Sequence, residues 1–230
     1  MNTLEELGSY ADTHRDQVLE NLDPEFVDKY VFLSKRFGEC DVSKDRDFQS
    51  VFRSFYSLDS AGLTDAFKTE YFKTMENLRG SAAVDLKALS EKFYEIPRLK
   101  GDKSLQFSFV TKLAHTINVS RPIYDRKVAN AFGFIPPVSP DPQARLGRLL
   151  DFYEWLKGAY GTIHKDRLMT QTIQAFRSKF SAQAPDLGDV KVLDFIFWSV
   201  GKLIRTKNLT AVPNRVFDPA RRDPTSPFVR

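Results

Sequence analysis

The chain has 230 residues, of which 42% are hydrophobic and 13% aromatic, so it is long enough to bury a substantial core. Its net charge of +4, from 34 basic and 30 acidic residues, permits a nucleic-acid partner without requiring one. The single cysteine, Cys40, excludes an intramolecular disulfide and any cysteine-ligated zinc or iron–sulfur centre.

The first residues, Met-Asn-Thr-Leu-Glu-Glu-Leu-Gly, have neither the basic start nor the apolar run of a signal peptide. Nowhere does the sequence contain about 18 consecutive apolar residues, the length that a membrane span requires. We therefore expect a soluble protein without a membrane partner, in the cytoplasm of a bacterial-type cell.

Apolar residues recur along most of the chain at steps of three and four, which is typical of amphipathic helices. No stretch shows the two-residue alternation of a strand, so the sequence predicts an all-α protein. The predicted helices cover residues 3–21, 23–37, 47–55, 63–75, 85–96, 105–117, 126–134, 146–163, 165–180 and 189–205.

The sequence predicts one all-α unit over residues 1–206. The proline-rich stretch 135–142 interrupts the helices and is the best candidate for a boundary between two lobes of the bundle. From residue 207 to 230 the chain has four prolines, four arginines and little periodicity, which predicts an extended or disordered tail. Val216-Phe217 could hold this tail against the body.

The stretch from Pro97 to Asp125 contains the strongest functional signal. Pro97 ends one helix, and Gly101 allows a tight reversal of the chain. Ser104 can cap the next helix, which carries the apolar stripe from Leu105 to Ile117. A short loop follows that helix, and Asp125 stands at the end of the loop. The predicted order is helix, hairpin, helix, loop, carboxylate.

This order resembles the helix-hairpin-helix DNA glycosylase superfamily, in which a Leu-Pro-Gly-Val-Gly hairpin opens a helix and an aspartate follows it. Here Leu99-Lys100-Gly101 stands in place of Leu-Pro-Gly, and Asp125 in place of the aspartate. Lys103 replaces the second hairpin glycine, and the position of the lyase lysine falls on Leu105 or Gln106. The resemblance therefore implies a two-lobed bundle and a monofunctional enzyme of the 8-oxoguanine or alkylpurine type.

The resemblance implies that Asp125 stabilises the oxocarbenium ion that forms when the bond between base and sugar breaks, and that it positions the attacking water. The substrate would be a damaged or modified base flipped out of double-stranded DNA, in repair or in defence against viral DNA. No cofactor or metal is implied, and we expect a monomer. The alternative for Asp125 is a plain helix cap, since aspartate is a preferred N-cap residue.

The hairpin would hold a DNA phosphate on free backbone N–H groups at the start of a helix. Alternatively, it is an ordinary turn with solvated lysines. The candidate DNA-binding residues are Lys100, Gly101, Lys103, Ser104, Arg121, Arg126 and Lys127, and the candidate base-pocket residues are Gln106, Phe109 and Tyr124. The alternatives are ordinary surface charges for Arg121, Arg126 and Lys127, an exposed side chain for Gln106, and core packing, the favoured interpretation, for Tyr124.

Lys112, about two turns beyond Leu105, is a displaced candidate for an amine nucleophile, but that role requires desolvation beside the sugar. His115 lies deeper in the same helix, and we interpret it as structural. Two other functions stay open on the sequence alone: a non-catalytic DNA- or protein-binding module with the same fold, and a structural or toxin–antitoxin-like bundle without a nucleic-acid role.

Overall fold

The computed structural model describes residues 3–205, Val216 and Phe217. These residues form α-helices and connecting loops without a strand, so the all-α prediction is confirmed for this part of the chain. A short 3₁₀ turn covers Asp59–Ala61. The helices are α1 Leu4–Thr13, α2 Arg15–Glu20, α3 Pro24–Glu39, α4 Arg46–Tyr56, α5 Asp65–Asn77, α6 Leu86–Tyr94, α7 Phe107–Ile117, α8 Arg126–Ala131, α9 Pro142–Lys165, α10 Thr170–Lys179 and α11 Asp189–Arg205.

Local capping explains where several of these helices begin. The Asp23 carboxylate accepts a hydrogen bond from the N–H of Glu25, and the Thr64 hydroxyl accepts one from the N–H of Phe67. The single helix predicted over residues 3–21 is wrong, because the chain breaks at His14 and forms α1 and α2.

The predicted hairpin is only partly correct. Gly101 has a φ of +80°, and the N–H of Arg98 donates to the carbonyl of Asp102, so the chain does reverse here. However, α7 begins at Phe107, and the side chain at its N-cap position makes no capping hydrogen bond. Ser104 therefore does not cap the helix. A segment without regular secondary structure, residues 102–106, separates the turn from α7, and a tight helix-hairpin-helix motif is not confirmed.

The buried apolar side chains form one continuous cluster that runs from Leu7 in α1 to Phe217. The proline-rich stretch is irregular from residue 134 to 141, as the sequence predicts. The N–H of Phe217 donates to the carbonyl of Phe132, and its ring packs edge-on against Trp155. Val216 and Phe217 thus do lie against the body, whereas the rest of the predicted tail falls outside the described residues. None of the described helices is both long enough and apolar enough to cross a bilayer.

The contact between α8 and α11 is unusually close because Gly201 has no side chain. A Cβ atom at Gly201 would lie 1.7 Å from the carbonyl oxygen of Lys127, far inside van der Waals contact. This contact fixes α8, which starts directly after Asp125, against α11.

We expect Gly201→Ala to lower the free energy of unfolding by about 2–3 kcal/mol, since the two backbones must separate to admit a methyl group. Gly158→Ala in α9 is the matched control, because a Cβ there meets no atom within 4 Å. That substitution should raise the free energy of unfolding by up to about 1 kcal/mol. Urea denaturation of both variants measures the difference, and equal stabilities would contradict the close α8–α11 contact.

Candidate functional site

The helices enclose a cleft with a volume of about 1020 Å³. This volume is at the upper end of the range for ligand pockets, about 300–1000 Å³. Its lining includes residues of α3, α4, α7, α8 and α11, together with Asp125 at the start of α8. Parts of the chain that are far apart in sequence therefore meet in one concave surface.

Lys112 and Asp125 form an ion pair in this cleft. The Nζ atom of Lys112 lies 3.6 Å from Oδ2 of Asp125. The lysine is nearly inaccessible, with 8% of its side chain exposed, whereas the aspartate side chain is 24% exposed. The ammonium group lies 4.9 Å from the centre of the Phe109 ring and 5.4 Å from that of Tyr56. An amine is thus held among aromatic rings beside a carboxylate that solvent still reaches.

Burial lowers the pKa of Lys112, and its attraction to Asp125 opposes this shift only in part. A larger fraction of the amine is therefore neutral near pH 7 than for a solvent-exposed lysine. A neutral, desolvated amine is the form in which lysine acts as a nucleophile.

Asp125 is also the N-cap of α8, as the alternative interpretation of the sequence predicts. Its Oδ1 accepts a hydrogen bond from the N–H of Lys127 at 2.9 Å, while Oδ2 is directed to Lys112. The capping bond fixes the carboxylate, and the other oxygen remains available to the cleft. Capping and a role in chemistry are compatible here.

Buried side chains from three helices fix the loop that carries Asp125. These side chains provide hydrogen-bond partners for backbone groups of residues 121–124 that are buried away from water. The bonds are Tyr153 Oη to the Pro122 carbonyl at 3.0 Å, the Ile123 N–H to Asp194 Oδ1 at 3.1 Å, the Tyr124 N–H to Thr111 Oγ1 at 3.1 Å, and His115 Nδ1 to the Arg121 carbonyl at 2.6 Å.

A second pair of charges, Lys191 and Asp194 of α11, also lines the cleft. The Lys191 Nζ lies 3.9 Å from Oδ2 of Asp194, and the two side chains are 6% and 3% exposed. Burial lowers the pKa of Lys191 and raises the pKa of Asp194, and the attraction between the two charges opposes both shifts in part.

Among the described residues, cations outnumber anions along the cleft. Its basic residues are Lys29, Lys112, Arg126, Lys127, Lys191 and Lys202, and its acidic residues are Asp125 and Asp194. Such an excess of positive charge around a concave surface favours an anionic ligand.

The structure brings together Asp125, Arg126, Lys127 and Phe109 of the residues that the sequence predicts for the site. The other predicted residues do not line the cleft. Tyr124 is buried against Phe107 and Phe152, and the Arg121 side chain donates to the carbonyl of Val84. Lys103 pairs with Glu95. Lys100, Gly101, Ser104 and Gln106 lie in the segment before α7. Their proposed contacts with DNA or a base remain predictions.

Sequence reasoning missed Lys191 and Asp194, and it also missed Trp198, whose ring lines the cleft. A signal for the first two was present, because two charged residues stand three positions apart among the apolar residues of α11. Charged residues are almost never fully buried unless they are paired, so charges on an apolar helix face indicate a pair or a site.

Comparison of the chain with protein-family models, with curated proteins and with solved structures finds no match. The helix-hairpin-helix resemblance therefore stays a prediction. Within the described part of the chain, no group of three or more His, Cys, Asp and Glu side chains is placed to hold a metal ion.

We expect Thr111→Val to loosen the Asp125 loop. Valine has nearly the same shape but leaves the buried N–H of Tyr124 without its acceptor, which should lower the free energy of unfolding by about 1–3 kcal/mol. Amide hydrogen exchange in residues 121–125 should become faster. Thr111→Ser keeps the hydroxyl and should keep exchange slow; equal exchange in both variants would contradict the anchoring.

His115 makes the stability of the fold depend on pH. Its Nδ1 must carry the proton, since it bonds a carbonyl, and its Nε2 then accepts from the Tyr30 hydroxyl at 2.9 Å. Burial lowers the pKa of His115 from 6.5 to about 3. Because the folded state resists protonation, its contribution is complete above pH 6.5 and is lost as the pH falls toward 3.

The loss should reach about 1.4 kcal/mol per pH unit between these limits. Urea denaturation from pH 7 to 4 measures it, with His115→Gln as the comparison, because glutamine does not titrate. The slope of the variant should be shallower by that amount. Parallel slopes would mean that His115 is protonated normally in the folded protein.

Proposed function

We propose that the protein is a DNA glycosylase that releases a base flipped out of duplex DNA into the cleft, with Lys112 and Asp125 as its catalytic residues. The observation that carries the proposal is the 3.6 Å pair of a buried amine and a partly exposed carboxylate inside a cleft of about 1020 Å³. Both the predicted resemblance and the position of Asp125 in the cleft support the choice of this aspartate.

Asp125 suits the electrostatic part of the reaction. The sugar develops positive charge at C1′ as the glycosidic bond breaks, and a fixed carboxylate beside it lowers the barrier. The bond from Lys127 N–H holds one oxygen of Asp125, so the carboxylate does not need to reorganise when that charge develops.

Lys112 suits the covalent part. Its neutral Nζ would form a bond to C1′ while the bond from C1′ to the base breaks, and the base would leave with the electron pair and take up a proton released from Nζ. Opening of the sugar ring at C1′–O4′ would then give a Schiff base, with O4′ accepting the second proton. This departs from the monofunctional enzyme predicted from the sequence.

The excess of cations along the cleft supports a DNA partner. Lys29, which also pairs with Glu25, lines the cleft with Arg126, Lys127 and Lys202, and these side chains would neutralise phosphates around a flipped nucleotide. Binding that rests on such contacts weakens steeply as the salt concentration rises.

The chemistry can be tested with two assays. Borohydride should trap the wild-type protein covalently on a duplex that contains an abasic site, because it reduces a Schiff base, and Lys112→Gln should abolish trapping. Asp125→Asn should slow base release from duplexes with damaged or modified bases by about 100-fold or more, because it removes the charge near C1′.

Matched controls exist for both substitutions. Lys157→Gln removes an exposed lysine that pairs with Glu154, and Asp141→Asn alters a cap aspartate on α9 outside the cleft. Both should behave as the wild type. Base release without trapping would leave a monofunctional glycosylase and make the role of Lys112 wrong. Salt-sensitive binding with neither trapping nor base release would instead indicate a non-catalytic DNA-binding module.

A further inference from the structure

The Asp194 carboxyl group has one oxygen with hydrogen-bond partners and one without. Its Oδ1 accepts from the Ile123 N–H at 3.1 Å and from the Tyr160 hydroxyl at 3.0 Å. Its Oδ2 is buried and has no hydrogen-bond partner among the described residues. Buried polar atoms are normally satisfied, so this second oxygen requires an explanation.

The two bonds to Oδ1 decide where a proton on Asp194 lies. Oδ1 receives two donors and is the acceptor of the group, so the proton belongs on Oδ2. An ionised, buried Oδ2 would need a donor, and Nζ of Lys191 lies 3.9 Å away, beyond hydrogen-bonding distance. A protonated Oδ2 is instead a donor itself, and it is available to a ligand in the cleft.

The surroundings of Asp194 favour this protonated form. Burial raises the pKa of the Asp194 carboxyl, and the charge of Asp125 adds to the rise, while Lys191 and the bonds to Oδ1 oppose it. A group that holds a proton and can still release it is what general acid catalysis requires. The other titratable side chains that interact with Asp194 or with Lys191 are Lys112 of α7, Tyr30 of α3, Tyr56 of α4, and Tyr153 and Tyr160 of α9.

Asp194 and Asp125 thus line one cleft in contrasting surroundings. Asp125 is partly exposed to solvent, whereas Asp194 is almost inaccessible. Two carboxyl groups with such different environments commonly divide the work at a glycosidic bond, since the buried one acts as acid and the solvated one as the stabilising anion. The proposed function assigns the anion role to Asp125 and leaves the acid unassigned.

We propose that Asp194 is the general acid of the cleft and that it protonates the leaving base. The inference rests on the proposed function and adds a catalytic residue to it. As the bond from C1′ to the base breaks, the proton moves from Asp194 Oδ2 to the base, which leaves as a neutral molecule. Nζ of Lys112 forms its bond to C1′, and the proton that Nζ loses returns to Asp194 Oδ2. The net transfer is one proton from Nζ to the base, and the acid is restored.

Lys191 has a defined part in this step. After the transfer Asp194 is an anion, and the ammonium group 3.9 Å from Oδ2 stabilises it. The same distance leaves Oδ2 free to donate to the base beforehand. This explains why a lysine and an aspartate are buried together without a hydrogen bond between Nζ and Oδ2.

Asp194→Asn isolates the proton. The amide oxygen keeps an acceptor for Ile123 and Tyr160, and the amide nitrogen keeps a hydrogen-bond donor at the position of Oδ2. The amide has no proton that it can transfer at neutral pH. A missing acid slows only those bases that need a proton to leave, whereas a displaced loop slows every substrate, so the leaving group distinguishes the two causes.

Base release is measured from duplexes that carry hypoxanthine or 7-methylhypoxanthine, and uracil or 5-fluorouracil. The second base of each pair needs less help from an acid, because the 7-methyl ring is already positively charged and fluorine stabilises the departing anion. Asp194→Asn should slow release of hypoxanthine or uracil by about 100-fold or more, the range for general acid catalysis, and should slow the second base of that pair at least about tenfold less. Borohydride trapping on an abasic duplex should stay at the wild-type level, since no base is present.

Thr111→Val is the matched control for the position of the loop. It removes a different anchor, the bond to the Tyr124 N–H, and leaves Asp194 in place. It should therefore affect both bases of a pair to the same extent. Urea denaturation establishes that each variant is folded under the assay conditions.

Tyr160→Phe provides a second variant should Asp194→Asn unfold. It removes one of the two hydrogen bonds that favour the ionised carboxyl, and it leaves the bond to Ile123 and the Lys112–Asp125 pair in place. Asp194 then keeps its proton to higher pH, so the fall of base release at alkaline pH should move to higher pH. The pH profile of trapping, which depends on Lys112, should not move.

The outcomes separate the two proposals. If the wild type neither traps on the abasic duplex nor releases any base, the proposed function and this inference both fall. If the wild type traps but Asp194→Asn slows both bases of a pair equally, Asp194 only positions the loop, and the inference alone is wrong. Unchanged release of hypoxanthine and uracil in Asp194→Asn, or an unmoved alkaline limb in Tyr160→Phe, also overturns it. A wild type that traps but releases neither hypoxanthine nor uracil would show that no acid acts in the cleft.

Discussion

The anchoring of residues 121–124 by buried side chains is the constraint on which the candidate site depends. A loop of this kind would normally lie on the surface and satisfy its backbone with water. Here hydroxyl, imidazole and carboxylate groups from α7, α9 and α11 make the backbone hydrogen bonds that water would otherwise make. The position of Asp125 is therefore set by packing in the core, and a change in any of these three helices would be transmitted to the carboxylate.

Two contacts fix the position of α8 in the cleft. The capping bond from Lys127 holds Asp125 at the start of α8, and the absent side chain of Gly201 lets α8 lie directly on α11. The same two helices therefore carry Asp125, Lys191 and Asp194. Rigid elements hold reacting groups more accurately than loops do, which suits a site whose charges must be in place before a ligand arrives.

Local patterns in the sequence predicted most of the helices, because a 3.6-residue period and a capping residue are properties of neighbouring positions. They also drew attention to Asp125, which follows a visible helix break, and to Lys112 as a displaced candidate. The helix that carries Lys112 starts at Phe107 and not at the predicted Leu105. Lys191 and Asp194 lie more than sixty positions from Asp125 along the chain, and only the packing of α8 on α11 brings them to it. Local periodicity contains no information on such a contact.

The charges in the cleft also argue against a purely structural role. Two lysines and one aspartate are almost inaccessible, and desolvating such groups costs several kcal/mol each unless their partners compensate. The pairs here are imperfect, at 3.6 Å and 3.9 Å, and one carboxylate oxygen lacks a donor. Replacing a buried ion pair with apolar side chains of similar volume is often neutral or stabilising for a fold. Asp194 anchors the loop before Asp125 and also lines the cleft, so a ligand in the cleft that forms a hydrogen bond with its free oxygen would satisfy that atom.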